Sequence, residues 1–168
     1  VTPDADVARN VKLLRNQGME KRYENEIVGF NTRMTDVHAA IGRVQLSKLA
    51  GWTKTRQENA KFLDDNLKGV VTPPVAPGAT HVYHQYTIRV VDQDRDAFAQ
   101  ELANRGVGSG VYYPIPNHRL PSFDLDFELP ETELAAQQAL SLPVHPSLSK
   151  ADLEKIVEVV NAVASAGA

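Results

Sequence analysis

Cysteine is missing from all 168 residues. Disulfides and thiolate metal sites are therefore excluded, and the composition says nothing about the redox compartment. Excess charge is also missing. Eighteen Lys and Arg stand against 21 Asp and Glu, a net charge of −3, too small a field to draw the chain to nucleic acid or anionic lipid. No apolar run approaches the roughly 18 residues of a membrane span, and no basic-then-apolar stretch of secretory type opens the sequence. Glycine-rich phosphate loops, G-x-S-x-G and kinase-type motifs do not occur. Nor is there an internal repeat or a low-complexity segment. The expectation is a soluble chain, cytoplasmic by default, without nucleic-acid or membrane partners.

What is present is ordinary globular material, 42% hydrophobic and 23% charged. The sequence opens at Val1 directly in a helix-start signal of Thr2, Pro3, Asp4 and Asp6, which reads as a cut inside a larger protein. A first helix is expected from about Pro3 to Asn16, stopped by Gly18. After a polar loop, Thr35 and Asp36 open a long helical stretch. Val37, Ala40, Ile41 and Val44 fall on one face of it. The pattern breaks near Ala50-Gly51 and resumes to Leu67. That predicts two consecutive helices, or one sharply bent helix, over 35–68.

Three prolines and a glycine in VTPPVAPG, residues 71–78, exclude regular structure and mark the expected seam. Beyond it the periodicity changes. Strands are expected at Tyr86–Val91 and Ser109–Tyr113, with a helix from Asp94 to Arg105 between them. The stretch 114–130 is a proline- and aromatic-rich loop, long enough to be a candidate functional loop. A helix over Glu131–Leu140, an extended piece over Ser141–His145 and a last helix complete the chain. That helix is opened by Ser149-x-x-Asp152, and its apolar stripe is Leu153, Ile156, Val157, Val160 and Val163. The second half thus reads as a small α+β sandwich, a sheet with helices on one side.

Few residues carry chemistry. In GFNTRMTD, residues 29–36, Gly29 permits unusual backbone. Asn31 and Arg33 precede a helix N-terminus, where an amide donor and a guanidinium suit a phosphate or carboxylate. The bland alternative is a loop with an Asx turn at Asn31 and an Arg33–Asp36 pair. His38, His81, His84, His118 and His145 lack metal-site spacing. His118 is the most suggestive, on a proline-stiffened loop behind Tyr112-Tyr113-Pro114, where it can offer donors to a polar substrate; exposed loop decoration is the alternative. All eight lysines sit in solvated contexts, unsuited to Schiff-base chemistry. The residues alone give a fold class and no complete catalytic apparatus.

LLRNQG (13–18), GFNTRMTDVHAAIGRVQLSKL (29–49), HVYHQYTIRV (81–90), GVYYPIPNH (110–118) and LSLPVHPSLS (140–149) occur in this order. Together they resemble the C-terminal half of the DegT/StrS-type sugar aminotransferases, fold-type I pyridoxal-phosphate enzymes. The resemblance implies an α/β fold: long helices that complete the large domain and its connection (1–70), then a small C-terminal α+β domain (79–168). It implies a homodimer that transfers an amino group, usually from glutamate, to a keto group of a nucleotide-linked sugar. Asn31 is expected to reach the phosphate of pyridoxal 5'-phosphate held by the other subunit. Arg33, Tyr113, His118 and His84 are expected near the substrate. Gln17 stands where many relatives have histidine in R-x-H-G. The cofactor lysine of the family lies upstream, so this chain alone is expected to bind the cofactor weakly and to be inactive. Some relatives carry histidine in place of that lysine and act as dehydratases. A non-catalytic interaction or regulatory fragment of the same family is the competing reading.

Overall fold

Local capping chemistry sets most of the helix ends. The computed structural model describes residues 2–123 and 125–166. In chain order they form α1 (Ala5–Arg15), α2 (Asp36–Asn66), β1 (Tyr86–Arg89), α3 (Arg95–Asn104), a 3-10 turn (Asn117–Arg119), α4 (Pro130–Gln138), β2 (Ala139–Leu142) and α5 (Lys150–Ala166). The Asp4 carboxylate accepts the amides of Asp6 and Val7 at 2.9 and 3.0 Å, so α1 starts after Pro3 and not at it. Gly18, at φ 76°, donates its amide to Leu13 at 2.8 Å and ends the helix as expected. Asp94 caps α3 through the Ala97 amide at 2.7 Å. Ser149 and Asp152 form the reciprocal box ahead of α5: Ser149 N–H to Asp152 Oδ2 is 2.8 Å, and Asp152 N–H to Ser149 Oγ is 3.2 Å.

The chain forms two compact units, Val1–Lys48 and Leu49–Ala168. The division falls inside α2, whereas the proline-rich stretch 71–78, the expected seam, belongs to the second unit. The reason is that the C-terminal part of α2 is core. Asn59, Ala60 and Leu63 are buried, and the last two join the cluster built on Tyr86, Ile88, Phe98, Leu102 and Val160. The Asn59 amide donates to the His145 carbonyl at 3.1 Å. The helix is also continuous through Ala50-Gly51, so the expected break is not there. A single glycine in a helix costs only about 1 kcal/mol relative to alanine.

In the second unit β1 and β2 pair antiparallel, Tyr86 opposite Leu142 and Arg89 opposite Ala139. Each edge gains one isolated bridge, Val71 to Arg89 and Gly110 to Ser141. The strand expected over Ser109–Tyr113 reduces to that second bridge, because Tyr113 turns to φ 56° and Pro114 follows with no amide to donate. The stripe of α5 is as expected on four positions: Leu153, Ile156, Val160 and Val163 are buried, and Val157 is half-buried. Among the described residues, no helix is long and apolar enough to cross a membrane.

Candidate functional site

In the first unit the segment holding Asn31 is fastened to the end of α1 by main-chain bonds. Phe30 N–H donates to Leu14 at 2.6 Å, Thr32 N–H to Arg15 at 3.0 Å, and Gln17 N–H to Phe30 at 2.8 Å. Close approach of two backbones makes this possible. A Cβ on Gly29 would meet the Gly18 nitrogen at 2.1 Å, and one on Gly18 would meet the Ile27 carbonyl oxygen at 1.7 Å. Gly29 is therefore needed for space; positive φ is confined to Gly18 of the pair. The Asn31 backbone is held while its side chain stays exposed. Among the described residues its amide makes no hydrogen bond, so neither the Asx turn nor the Arg33–Asp36 pair forms.

The helix N-terminus beside this segment is partly spent. Thr35 Oγ1 accepts the His38 amide at 3.3 Å, and acidic Asp36 occupies the first turn of α2, where it disfavours an anion. The positive charge beside this segment is supplied by side chains. Arg33 lines a recess of about 320 Å³ with Arg9, Lys12, Arg15, Asn16 and Glu20. Arg9 is neutralised by Glu20 and Glu26 at 2.9 and 2.5 Å, which hold its guanidinium pKa above the ordinary arginine value, with Glu26 contributing most. Lys12, Arg15 and Arg33 form no ion pair among the described residues. The cationic neighbours of Arg33 went unread in the sequence because Arg9, Lys12 and Arg15 look like an ordinary solvated helix face.

In the second unit Tyr112, Tyr113, Asn117 and His118 face Thr132, Ala135 and Ala136 of α4 across a largely apolar groove of about 660 Å³. Tyr113 is 78% exposed and held at positive φ, a strain of about 1–3 kcal/mol for a non-glycine residue. His118 is only 6% exposed. Its Nε2 lies 3.0 Å from Glu133 Oε1, and its ring stacks on Phe127 at 5.3 Å. Glu133 also accepts Arg119 Nε and NH2 at 3.0 and 2.7 Å. His118, and after it Arg119, pull the Glu133 carboxyl below its usual range. Sequence reasoning missed Glu133, Arg119 and Phe127, which lie fifteen, one and nine residues from His118 and share no motif with it.

His84 is exposed and does not line this groove. Its carbonyl and that of Tyr83 accept Arg56 NH1 at 3.4 and 3.2 Å, so the segment is tied to α2 by backbone and the imidazole is left to solvent. All eight lysines are exposed. None has the desolvated setting that lowers an amine toward Schiff-base formation.

A family model described as the DegT/DnrJ/EryC1/StrS aminotransferase family matches residues 1–161. The chain belongs to this family. Within it, the chain is 36% identical to a protein of Geobacillus stearothermophilus named "Pleiotropic regulatory protein", over 95% of this chain and 45% of that one. It is 33% identical to the dTDP-3-amino-3,6-dideoxy-alpha-D-galactopyranose transaminase of Aneurinibacillus thermoaerophilus, with the same coverage. DesV of Streptomyces venezuelae, solved in complex with a ketimine intermediate, superposes with a TM-score of 0.90 at 32% identity, covering 98% of this chain and 46% of that one. The chain thus spans about 45% of the length of the relatives it matches. The fold is that of the C-terminal part of the family's structures.

Proposed function

We propose that this chain is the C-terminal portion of a cytoplasmic, homodimeric nucleotide-sugar aminotransferase that moves an amino group from glutamate to a keto sugar. Residues 1–70 complete the large domain and lead out of it, and the last turns of α2 pack into the core of the small domain that residues 79–168 otherwise form. Pyridoxal 5'-phosphate, when bound, supplies the electron sink of the reaction. The residues here fit one edge of that group and not its anchor. Asn31 offers an uncommitted amide on a rigid main chain, suited to donate to a phosphate held by the other subunit, and no lysine is desolvated. Arg33 binds the carboxylate of the donor or an anionic part of the substrate. Tyr113 and His118 belong to one wall of the sugar-nucleotide pocket, with His84 at its approach. The isolated chain binds the cofactor weakly and is inactive.

The observation that carries this reading is Asn31, exposed and with no side-chain hydrogen bond among the described residues, on a segment pinned to the end of α1 by main-chain bonds on either side of it. Its test is made in the full-length enzyme. Asn31→Ala removes a hydrogen bond to a charged group, worth roughly 1.5–3 kcal/mol, so cofactor affinity falls about ten- to a hundredfold. A heterodimer of one Asn31→Ala subunit and one subunit lacking the cofactor lysine puts both lesions in one site. It retains one site of wild-type affinity and activity. Finding no intact site means that Asn31 serves its own subunit.

A second reading is a non-catalytic regulatory member of the family. It draws support from the relative named "Pleiotropic regulatory protein". Amino transfer to a nucleotide-linked keto sugar by the full-length protein decides against it.

A further inference from the structure

Three N–H groups converge on one carboxylate oxygen at the rim of the groove in the second unit. His118 Nε2, Arg119 Nε and Arg119 NH2 all lie within 3.0 Å of Glu133 Oε1. An ionised carboxylate only accepts, so the His118 hydrogen sits on Nε2, and that nitrogen is spent inside the protein. Burial of the ring and its stacking on Phe127 close off direct contact further. His118 and Arg119 lie in the 3-10 turn, immediately after the strained Tyr113 and its prolines, and Glu133 lies in the first turns of α4. The bond therefore joins the two walls of the groove. We propose that Glu133 and Arg119 are positioning residues: with His118 they clasp the segment carrying Tyr112 and Tyr113 to α4, and so set the width of the groove. His118 then acts on substrate through this clasp, its Nε2 being spent on Glu133 and not offered to the groove. The link to substrate rests on the reading of the groove as the sugar-nucleotide pocket; the clasp itself does not.

Two measurements separate these claims. In the chain itself, amide exchange is read at Arg119 and Leu120, whose N–H groups close the 3-10 turn onto Pro116 and Asn117 at 2.9 and 3.1 Å. Glu133→Ala is expected to speed exchange there about tenfold or more while β1 and α5 stay protected. Glu133→Gln, which keeps the acceptor oxygen, falls between. Glu131→Ala, an exposed acid of the same helix, changes nothing. Nitrogen-15 spectra should show His118 protonated at Nε2 in the wild type and lose that single-tautomer signature in Glu133→Ala. Unchanged exchange in Glu133→Ala, or a wild-type ring protonated at Nδ1 alone, overturns the clasp. In the full-length enzyme Glu133→Ala is expected to raise KM for the nucleotide sugar about tenfold, with kcat within about twofold and Glu133→Gln restoring part of the loss. Faster exchange with unchanged KM overturns the positioning role. A wild-type enzyme inert toward nucleotide-linked keto sugars refutes the proposed function and leaves the exchange result standing.

Discussion

The Tyr86 hydroxyl donates to Asp64 Oδ1 at 2.6 Å, joining the first strand to the last turns of α2. Tyr86 is fully buried; burial first, and the Asp64 carboxylate second, push its hydroxyl pKa up, so it remains a donor at every ordinary pH. This bond, with Leu63 one residue before Asp64 and also fully buried, makes the end of a long helix part of the small sheet's core.

Leu63→Ala should therefore destabilise the second unit by about 2–5 kcal/mol, the range for truncating a buried leucine. A fragment of residues 49–168 should unfold cooperatively in urea, and one of residues 79–168 should not, since it lacks Ala60, Leu63 and the partner of Tyr86. Equal midpoints for the two fragments would count against this packing.

Gly29→Ala should open the loop that carries Asn31. The added methyl meets backbone at 2.1 Å, and backbone cannot swing aside as a flexible side chain can. A local loss of about 2 kcal/mol or more is expected. Exchange at the Phe30 and Thr32 amides, which donate to α1, reads it directly. Full protection in the variant would contradict the close approach.

Asp152 gives the last helix an acid-sensitive start. The Ser149 hydroxyl foremost, then the Ser149 amide, hold its carboxyl below the usual aspartate range. A depressed folded-state pKa contributes stability that is complete above the unfolded value of about 3.9 and is lost as pH falls through the folded value. Exchange in the first turn of α5 should thus rise below about pH 4. Asp152→Asn should flatten that rise, and an identical acid response in the variant would exclude the box as its source.

What could be read early was local. Gly18 as a stop, Asp94 and Ser149-x-x-Asp152 as starts, and the α5 stripe each depend on residues within a turn or two of one another. The family strings were legible for the same reason, since each is a short contiguous run. Arg33 and Tyr113 could be picked out as candidates, but not the recess or the groove around them.

By itself, the sequence determined the helix caps, the apolar stripe of α5, the lack of a buried lysine and membership in the aminotransferase family. Tertiary structure alone decided that α2 runs unbroken into the second unit, that Ser109–Tyr113 keeps only one bridge, and that His118 turns inward to Glu133. Capping and periodicity act over three or four residues and so are written along the chain. Burial of Leu63 against β1, or the meeting of His118 with Glu133 fifteen residues away, depends on which surfaces the fold brings together, and no spacing in the sequence encodes that.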